Sequence, residues 1–357
     1  MNRVSRPALQ GGLLALAAAI LFGVSTPLVQ AAGTGLGAFT TAALLYAGAA
    51  AIGALSRQRV EREARLLRSD VPRLLAMAAF GAVLGPVALA WGLQHTSGAG
   101  ASLMLTLEAL FTALLARLLY RETMDGRVWA GMLLLLAGGM LLVLDQARGA
   151  GGQALGLLAV LAATAAWGAD NTLSRALAER DPSQVVMAKA AIGAAVTATL
   201  ALLAGEPMPG AMATLQLLLI GATGYGLSLR LYLLAQRAFG AARTGSVFAF
   251  APFIGAALAL ALGDRSAGWL MFAGGVLMLS GIALHLAEAH GHEHEHDATQ
   301  HEHAHRHDDG HHGHDHENAH EDAQENMPVG SHSHVHRHEP QRHVHAHVPD
   351  AHHAHRH

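Results

Sequence analysis

Ten apolar segments, each about the twenty residues a helix needs to cross roughly 30 Å of hydrocarbon, occupy the first 286 residues of this chain of 357. They run over 9–30, 35–55, 73–93, 97–119, 127–145, 154–176, 184–205, 213–235, 242–262 and 266–286. The fold class this predicts is an all-α integral membrane protein. The second five segments read as a degenerate copy of the first five. At a constant offset of 142 residues Gln94 falls on Gln236, Gly98 on Gly240, Ser102 on Thr244, Glu122 on Asp264, Gly126 on Gly268 and Gly139 on Gly281. The opening of each half matches at an offset of 145, Phe22-Gly23 on Trp167-Gly168. Five spans per copy is an odd number, so the two copies face opposite ways across the bilayer, as two inverted five-helix repeats. Residues 1–148 form the first repeat, 149–286 the second, and 287–357 a polar tail.

Charge supports the same plan. Charged residues are 14% of the chain against 52% hydrophobic, where a soluble domain carries about 25% charge. With the N-terminus inside, the cytoplasmic loops collect Arg3, Arg6, Arg57, Arg59, Arg62, Arg65, Arg68, Arg73, Arg117, Arg121, Arg127, Arg175, Arg180, Arg237 and Arg243, and the outer loops hold Arg148 and Arg265. That bias places both termini in the cytoplasm, in what reads as a bacterial inner membrane. Arg3, Arg6 and the small residues near Ala31 also resemble a secretory signal. The first segment reads as a retained helix instead, because its aromatic-Gly turn recurs inside the chain at Trp167.

Several classes are excluded. Lys189 is the only lysine, so no Gly-Lys-Ser/Thr phosphate loop and no built-in ATPase motor of that type exists. There is no cysteine, hence no disulfide or thiolate metal site. No nucleophile, metal cage or cofactor loop occurs at catalytic spacing, so an enzyme is not expected and no cofactor is required.

Named residues carry a family resemblance. They are the aromatic-Gly openings (Phe22-Gly23 and Trp167-Gly168-Ala169-Asp170-Asn171), the turns Gly98-Ala99-Gly100-Ala101-Ser102 and Gly240-Ala241-Ala242-Arg243-Thr244-Gly245, the acidic positions Glu122 and Asp264, and the Ala-Gly-Gly and Ser-Gly-Ile runs of the fifth and tenth segments. In order and spacing the set resembles the EamA-type carriers of the drug/metabolite transporter superfamily, over residues 9–286. The resemblance implies a carrier of small metabolites, an exporter by family tendency, without naming a cargo. Phe22 stands where such carriers commonly have Trp, and Tyr46 and Lys189 lie near positions where Arg is common.

Ionisable groups within a span are costly and mark functional candidates. Glu108, central in the fourth segment, is the first candidate for substrate binding or proton coupling, against a structural carboxylate tied to a helix neighbour. Asp170 and Asn171 follow Trp167-Gly168, where glycine is expected to relax the helix around a pocket. Lys189 is expected to snorkel to the cytoplasmic interface. Arg230, about two turns from the cytoplasmic end, could reach Asp170 or Glu108, and the sequence does not decide the pairing. Gly224-Tyr225-Gly226 and Gly81/Gly85-Pro86 fall at the same place in the eighth and third segments, as matched bending points or close-packing glycines. Trp91, Trp129 and Trp269 read as interfacial anchors, and Trp167, deeper, as a ligand-stacking residue.

The tail holds 24 of the 26 histidines, largely as His-x-His runs: His290, His292, His294 and His296; His301, His303, His305 and His307; His332, His334, His336 and His338. With 14 acidic and 4 basic residues it carries net −10, against +7 for the rest. Such a sequence is expected to be disordered and to bind divalent transition metal (Zn, Ni, Co or Cu) without strong selectivity. The membrane part offers only His95 and His285 besides. The leading expectation is therefore an organic-solute carrier with a metal-binding tail. Transport of the metal or a metal chelate, and a membrane-anchored metal-sensing module, are the alternatives. Expected partners are the lipid bilayer, a small-molecule substrate and divalent metal ions, with no nucleic acid. Monomer and homodimer both fit the sequence.

Overall fold

The computed structural model describes residues 6–57, 65–120, 124, 126–147, 153–174, 177, 180–239, 241–286, 291–295, 299–305, 332–338 and 342–346. Glu122 and the histidines at 290, 296 and 307 lie outside them.

The first repeat contains α1 (Arg6–Ala32), α2 (Ala38–Leu55), α3 (Val71–Ala78), α4 (Gly85–His95), α5 (Gly98–Met104), α6 (Leu107–Tyr120) and α7 (Gly126–Ala147). The second contains α8 (Gln153–Ser174), α9 (Pro182–Leu203), α10 (Ala211–Ile220), α11 (Ser228–Phe239), α12 (Ala241–Phe248), α13 (Ala251–Ala261) and α14 (Trp269–Leu286). Among the described residues eight helical stretches are long and apolar enough to cross a membrane, and Ala251–Ala261 and Trp269–Leu284 are shorter apolar helices. The fourth and ninth expected segments are not continuous rods: the first breaks between α5 and α6, the second between α12 and α13.

The internal copy is visible in the helix geometry. The third and eighth segments each contain a stretch of π-helix, Ala79–Leu84 between α3 and α4 and Gly221–Leu227 between α10 and α11. Their first residues are 142 apart, the offset read from the sequence. In a π turn the backbone bond skips to the fifth residue, which widens the helix and re-aims side chains, often at a functional site. The glycines expected as bending points are where this happens.

The repeats interlock. α7 packs along α14, α2 along α9, α1 against α11, and α4 against α8, so the main contacts of these helices cross from one repeat to the other. Residues of both repeats accordingly share one apolar core, including Leu45, Met104, Leu157, Trp167 and Met278. Glycine permits the closest approaches. A Cβ on Gly48 would collide with the carbonyl oxygen of Leu218, and one on Gly193, its counterpart at the 145 offset, would lie 2.5 Å from Ala82 Cβ. Each thus seats the second helix of one repeat on the π region of the other. Gly48→Ala is expected to lower the melting temperature in detergent by roughly 3–10 °C, since overpacking costs about 1–3 kcal/mol. Gly126→Ala, with nothing near its Cβ position, should leave it unchanged.

Leucines such as Leu55, Leu118 and Leu203 stand exposed around the bundle, where lipid rather than water would cover them. Trp91, Trp129 and Trp269 are also exposed and Trp167 is 6% exposed, which fits anchors for the first three and an interior role for the last. The guanidinium of Arg117 lies over the Trp129 ring, 5.6 Å from its centre.

In the tail, the backbone pairs antiparallel as β1 (Gly291–Glu295) with β4 (Arg342–Ala346) and β2 (Thr299–His305) with β3 (His332–His338). In this register His292 stands across from His345, His294 from His343, His301 from His336, His303 from His334 and His305 from His332.

Candidate functional site

Several residues singled out in the sequence converge beside the first π segment. Lys189, on α9, is 6% exposed and forms an ion pair with Asp170 on α8, itself 5% exposed. This corrects the expectation that Lys189 snorkels: a carboxylate within reach of its ammonium replaces the interface as its partner. It also removes Asp170 as a partner for Arg230, whose Nε instead donates to Ser183 Oγ at 3.2 Å. Glu108, at the start of α6, is held by Asn171, whose Nδ2 donates to Oε1 at 2.6 Å. Arg230 therefore pairs with neither carboxylate.

The first repeat supplies the socket. Gly81, in the first π segment, lies so close to the ion pair that a Cβ there would run into the Asp170 carboxylate and approach Lys189 Nζ to 2.7 Å. Its carbonyl oxygen accepts from Tyr46 OH and, at 3.0 Å, from Trp167 Nε1. Gly85, one turn on, meets the Trp167 indole in the same way. Helix α8 runs unbroken from Gln153 to Ser174, so Gly168 does not loosen it as expected. Gly168 instead lets α8 approach α6, where a Cβ would lie 2.7 Å from Phe111 Cβ.

Aromatic rings close the site. Phe22 contacts Trp167, Tyr225 and Phe248 with ring centres 6.1, 6.0 and 5.4 Å apart, and Tyr46 contacts Tyr225 at 5.7 Å. Among the described residues four buried side-chain atoms have no protein hydrogen-bond partner: Asp170 Oδ1, Tyr225 OH, Ser102 Oγ and Thr96 Oγ1. Tyr225 OH lies beside Ser25, whose own hydroxyl donates to the Phe22 carbonyl at 2.6 Å. Two of the four orphans are thus in the central site, a carboxylate oxygen and a phenol, each able to bind a polar ligand.

A second feature lies at one end of the bundle, where α1, α4 and α13 end and α5 begins. A cavity of about 760 Å³ is lined by Gln30, His95, Thr96, Ser97, Asp264 and Arg265 among others. Asp264 reaches across the repeats, its Oδ2 accepting from the Ala99 N–H of α5 at 3.0 Å, while Oδ1 accepts from Ser266. Burial pushes its carboxyl upward, but the Ser266 hydroxyl and the backbone N–H groups of Ala99, Ser266 and Gly98 outweigh that and hold it below the ordinary carboxylate range. Glu206, between α9 and α10, makes a similar crossing: its carboxylate accepts from Phe39 N, and from Thr40 N and Oγ1 at 2.7 Å, at the start of α2. A lowered carboxyl stabilises the fold above its unfolded-chain value and loses that contribution as pH falls through the folded one. The melting difference between the natural chain and Asp264→Ala should therefore hold constant from about pH 8 to 5 and shrink only below about pH 4. A midpoint between 5 and 7 would contradict it.

Toward the opposite end, Arg180 Nε pairs with Asp70 Oδ2 at 2.8 Å, and Leu66 N donates to Gln184 Oε1 at 2.8 Å. Sequence reasoning missed Gly81 as a socket and Glu206 altogether. The only available signal for Glu206 was one acid in a short loop between apolar segments.

Two interlocked repeats of apolar, membrane-length helices around a buried polar and aromatic centre are the architecture of a membrane transporter. The chain belongs to the EamA-like transporter family, whose model matches residues 9–144 and again 154–287. An uncharacterized transporter of Methanothermobacter thermautotrophicus is 28% identical over 233 residues, which is 62% of this chain and 66% of that protein, just under two thirds of its length. A solved crystal structure is similar in fold, with a TM-score of 0.55 at 21% identity, over 77% of this chain and 94% of its own.

Proposed function

We propose that the protein is a secondary carrier that exports a small organic metabolite by alternating access. In this reading ten segments cross a bacterial inner membrane with both termini in the cytoplasm, and the tail binds divalent transition metal there. The observation that carries it is the central cluster: the Asp170–Lys189 ion pair seated on Gly81 of the other repeat, with Asp170 Oδ1 and Tyr225 OH unpartnered beside it. Groups contributed by both repeats change their spacing whenever the repeats rock, which is what a site exposed alternately to two sides requires. Glu108, tied to Asn171 by one hydrogen bond, can exchange a proton or take a donor from the cargo. Trp167 and Phe22 supply apolar faces for its carbon skeleton.

The test compares the solutes released by cells expressing the natural chain and Glu108→Gln, by untargeted mass spectrometry of the medium. At least one small organic solute should accumulate outside with the natural chain and fall about tenfold in the variant, the effect of losing one hydrogen bond to a charged group. If no solute differs between natural-chain and empty cells, the organic-exporter reading fails.

A further inference from the structure

The four orphaned polar atoms are not scattered. Thr96 lines the outer cavity with Gly98. Ser102 lies one turn beyond Gly98 on α5 and is fully buried. At its level α1, α5 and α13 touch through small residues: the position of a Cβ on Gly255 is 2.7 Å from the Gly23 carbonyl oxygen and 2.9 Å from Ser102 Oγ. Phe22, next to Gly23, lies against Tyr225 and Trp167, and Trp167 and Asp170 both meet Gly81. A chain of side-chain contacts thus links the outer cavity, Ser102, Tyr225 and Asp170. An orphaned buried polar atom is costly in the state that buries it, and a state that hydrates it removes that cost.

The blocking contact has the parts of a hinge. Pro27 lies inside α1 and has no N–H to give the Gly23 carbonyl four residues back, which weakens the helix at the point that touches Gly255. Two carboxylates of the second repeat, Asp264 and Glu206, hold the N-terminal ends of α5 and α2 of the first.

We propose that the Gly23–Ser102–Gly255 contact is the outer gate of the carrier, closed in this structure, and that Asp264 and Glu206 are its latches. Opening separates α5 from α1 and α13, wets Ser102 and joins the outer cavity to the central site. The proposal rests on the carrier reading, yet its test needs no cargo, so the two can fail separately.

The chain has no cysteine, so one introduced thiol reports alone. In intact cells, full-length Ser102→Cys is treated with a membrane-impermeant maleimide, beside Thr34→Cys, an exposed residue that lines the outer cavity. Ser102→Cys should label slowly and Thr34→Cys fast. Adding Asp264→Ala or Glu206→Ala should speed labelling at 102 about fivefold or more, the shift expected from losing one helix cap, and leave position 34 unchanged. Gly255→Ala, whose new methyl wedges the contact, should do the same by an independent route and covers the case in which a latch variant fails to fold. Labelling at 102 that is as fast as at 34 in the unlatched and latched chains alike would overturn the proposal. So would slow labelling at 102 that neither latch removal nor the wedge accelerates.

Discussion

Lys189→Met is expected to destabilise the protein by about 3–5 kcal/mol, the cost of leaving a buried charge without its partner. Its Nζ is the partner of Asp170 Oδ2, and the other oxygen of that carboxylate already has none. Asp170→Asn alone should cost a comparable amount, because it leaves the buried Lys189 ammonium without its carboxylate. The double variant Lys189→Met, Asp170→Asn removes both charges and should recover most of the lost stability, as paired deletions of buried ion pairs do. Melting of the purified protein in detergent measures the cycle. Solute release in the same four chains then separates scaffold from site. If the double variant regains stability and release together, the pair only holds α8 to α9, and the central site must be sought at Glu108–Asn171. If it regains stability without release, the charges themselves handle cargo or coupling ion. A single Lys189→Met with unchanged melting would remove the ion pair from the account of both.

What could be read from the sequence divides along a physical line. The repeat, its offsets and the matched glycines of the third and eighth segments were legible, because apolar periodicity and glycine placement are local properties of the chain; that the helices widen into π turns there was not. Trp167 as an interior residue followed from depth in its segment alone. Partner choice was not legible. Lys189 looked like a snorkelling lysine because its segment position lies near an interface, and only the packing of α9 on α8 and the first π segment brings Asp170 to it. The partner of Arg230 was open between Asp170 and Glu108, and the geometry gives it Ser183. Gly81 read as a bend and is also a socket, a role defined by what sits opposite. The cross-repeat caps of Asp264 and Glu206 were hidden for the same reason. A carboxylate two residues past an apolar run says nothing about which helix end it will meet. Elements are encoded locally, whereas a site between interlocked repeats is encoded by the way they interlock.

Stopping the chain after Glu288 is expected to remove nearly all of its bound transition metal, from several equivalents per protein to less than about one, because 24 of 26 histidines are lost and imidazole is the ligand that suits Zn, Ni, Co and Cu. Binding should fall as pH drops through about 6.5, since protons then compete for the ligand nitrogen. The informative measurement is the metal content of cells under Ni, Co and Zn load, taken for the full chain, the stopped chain and full-length Glu108→Gln. Content that follows only the presence of the tail makes the tail a buffer and leaves the cargo among organic solutes. Content that changes with the full chain and reverts in Glu108→Gln, with the tail intact, means that metal or a metal complex passes the central site. In that case the tail collects cargo at the inner mouth, and the separation between an organic-solute pathway and a metal-binding tail is wrong.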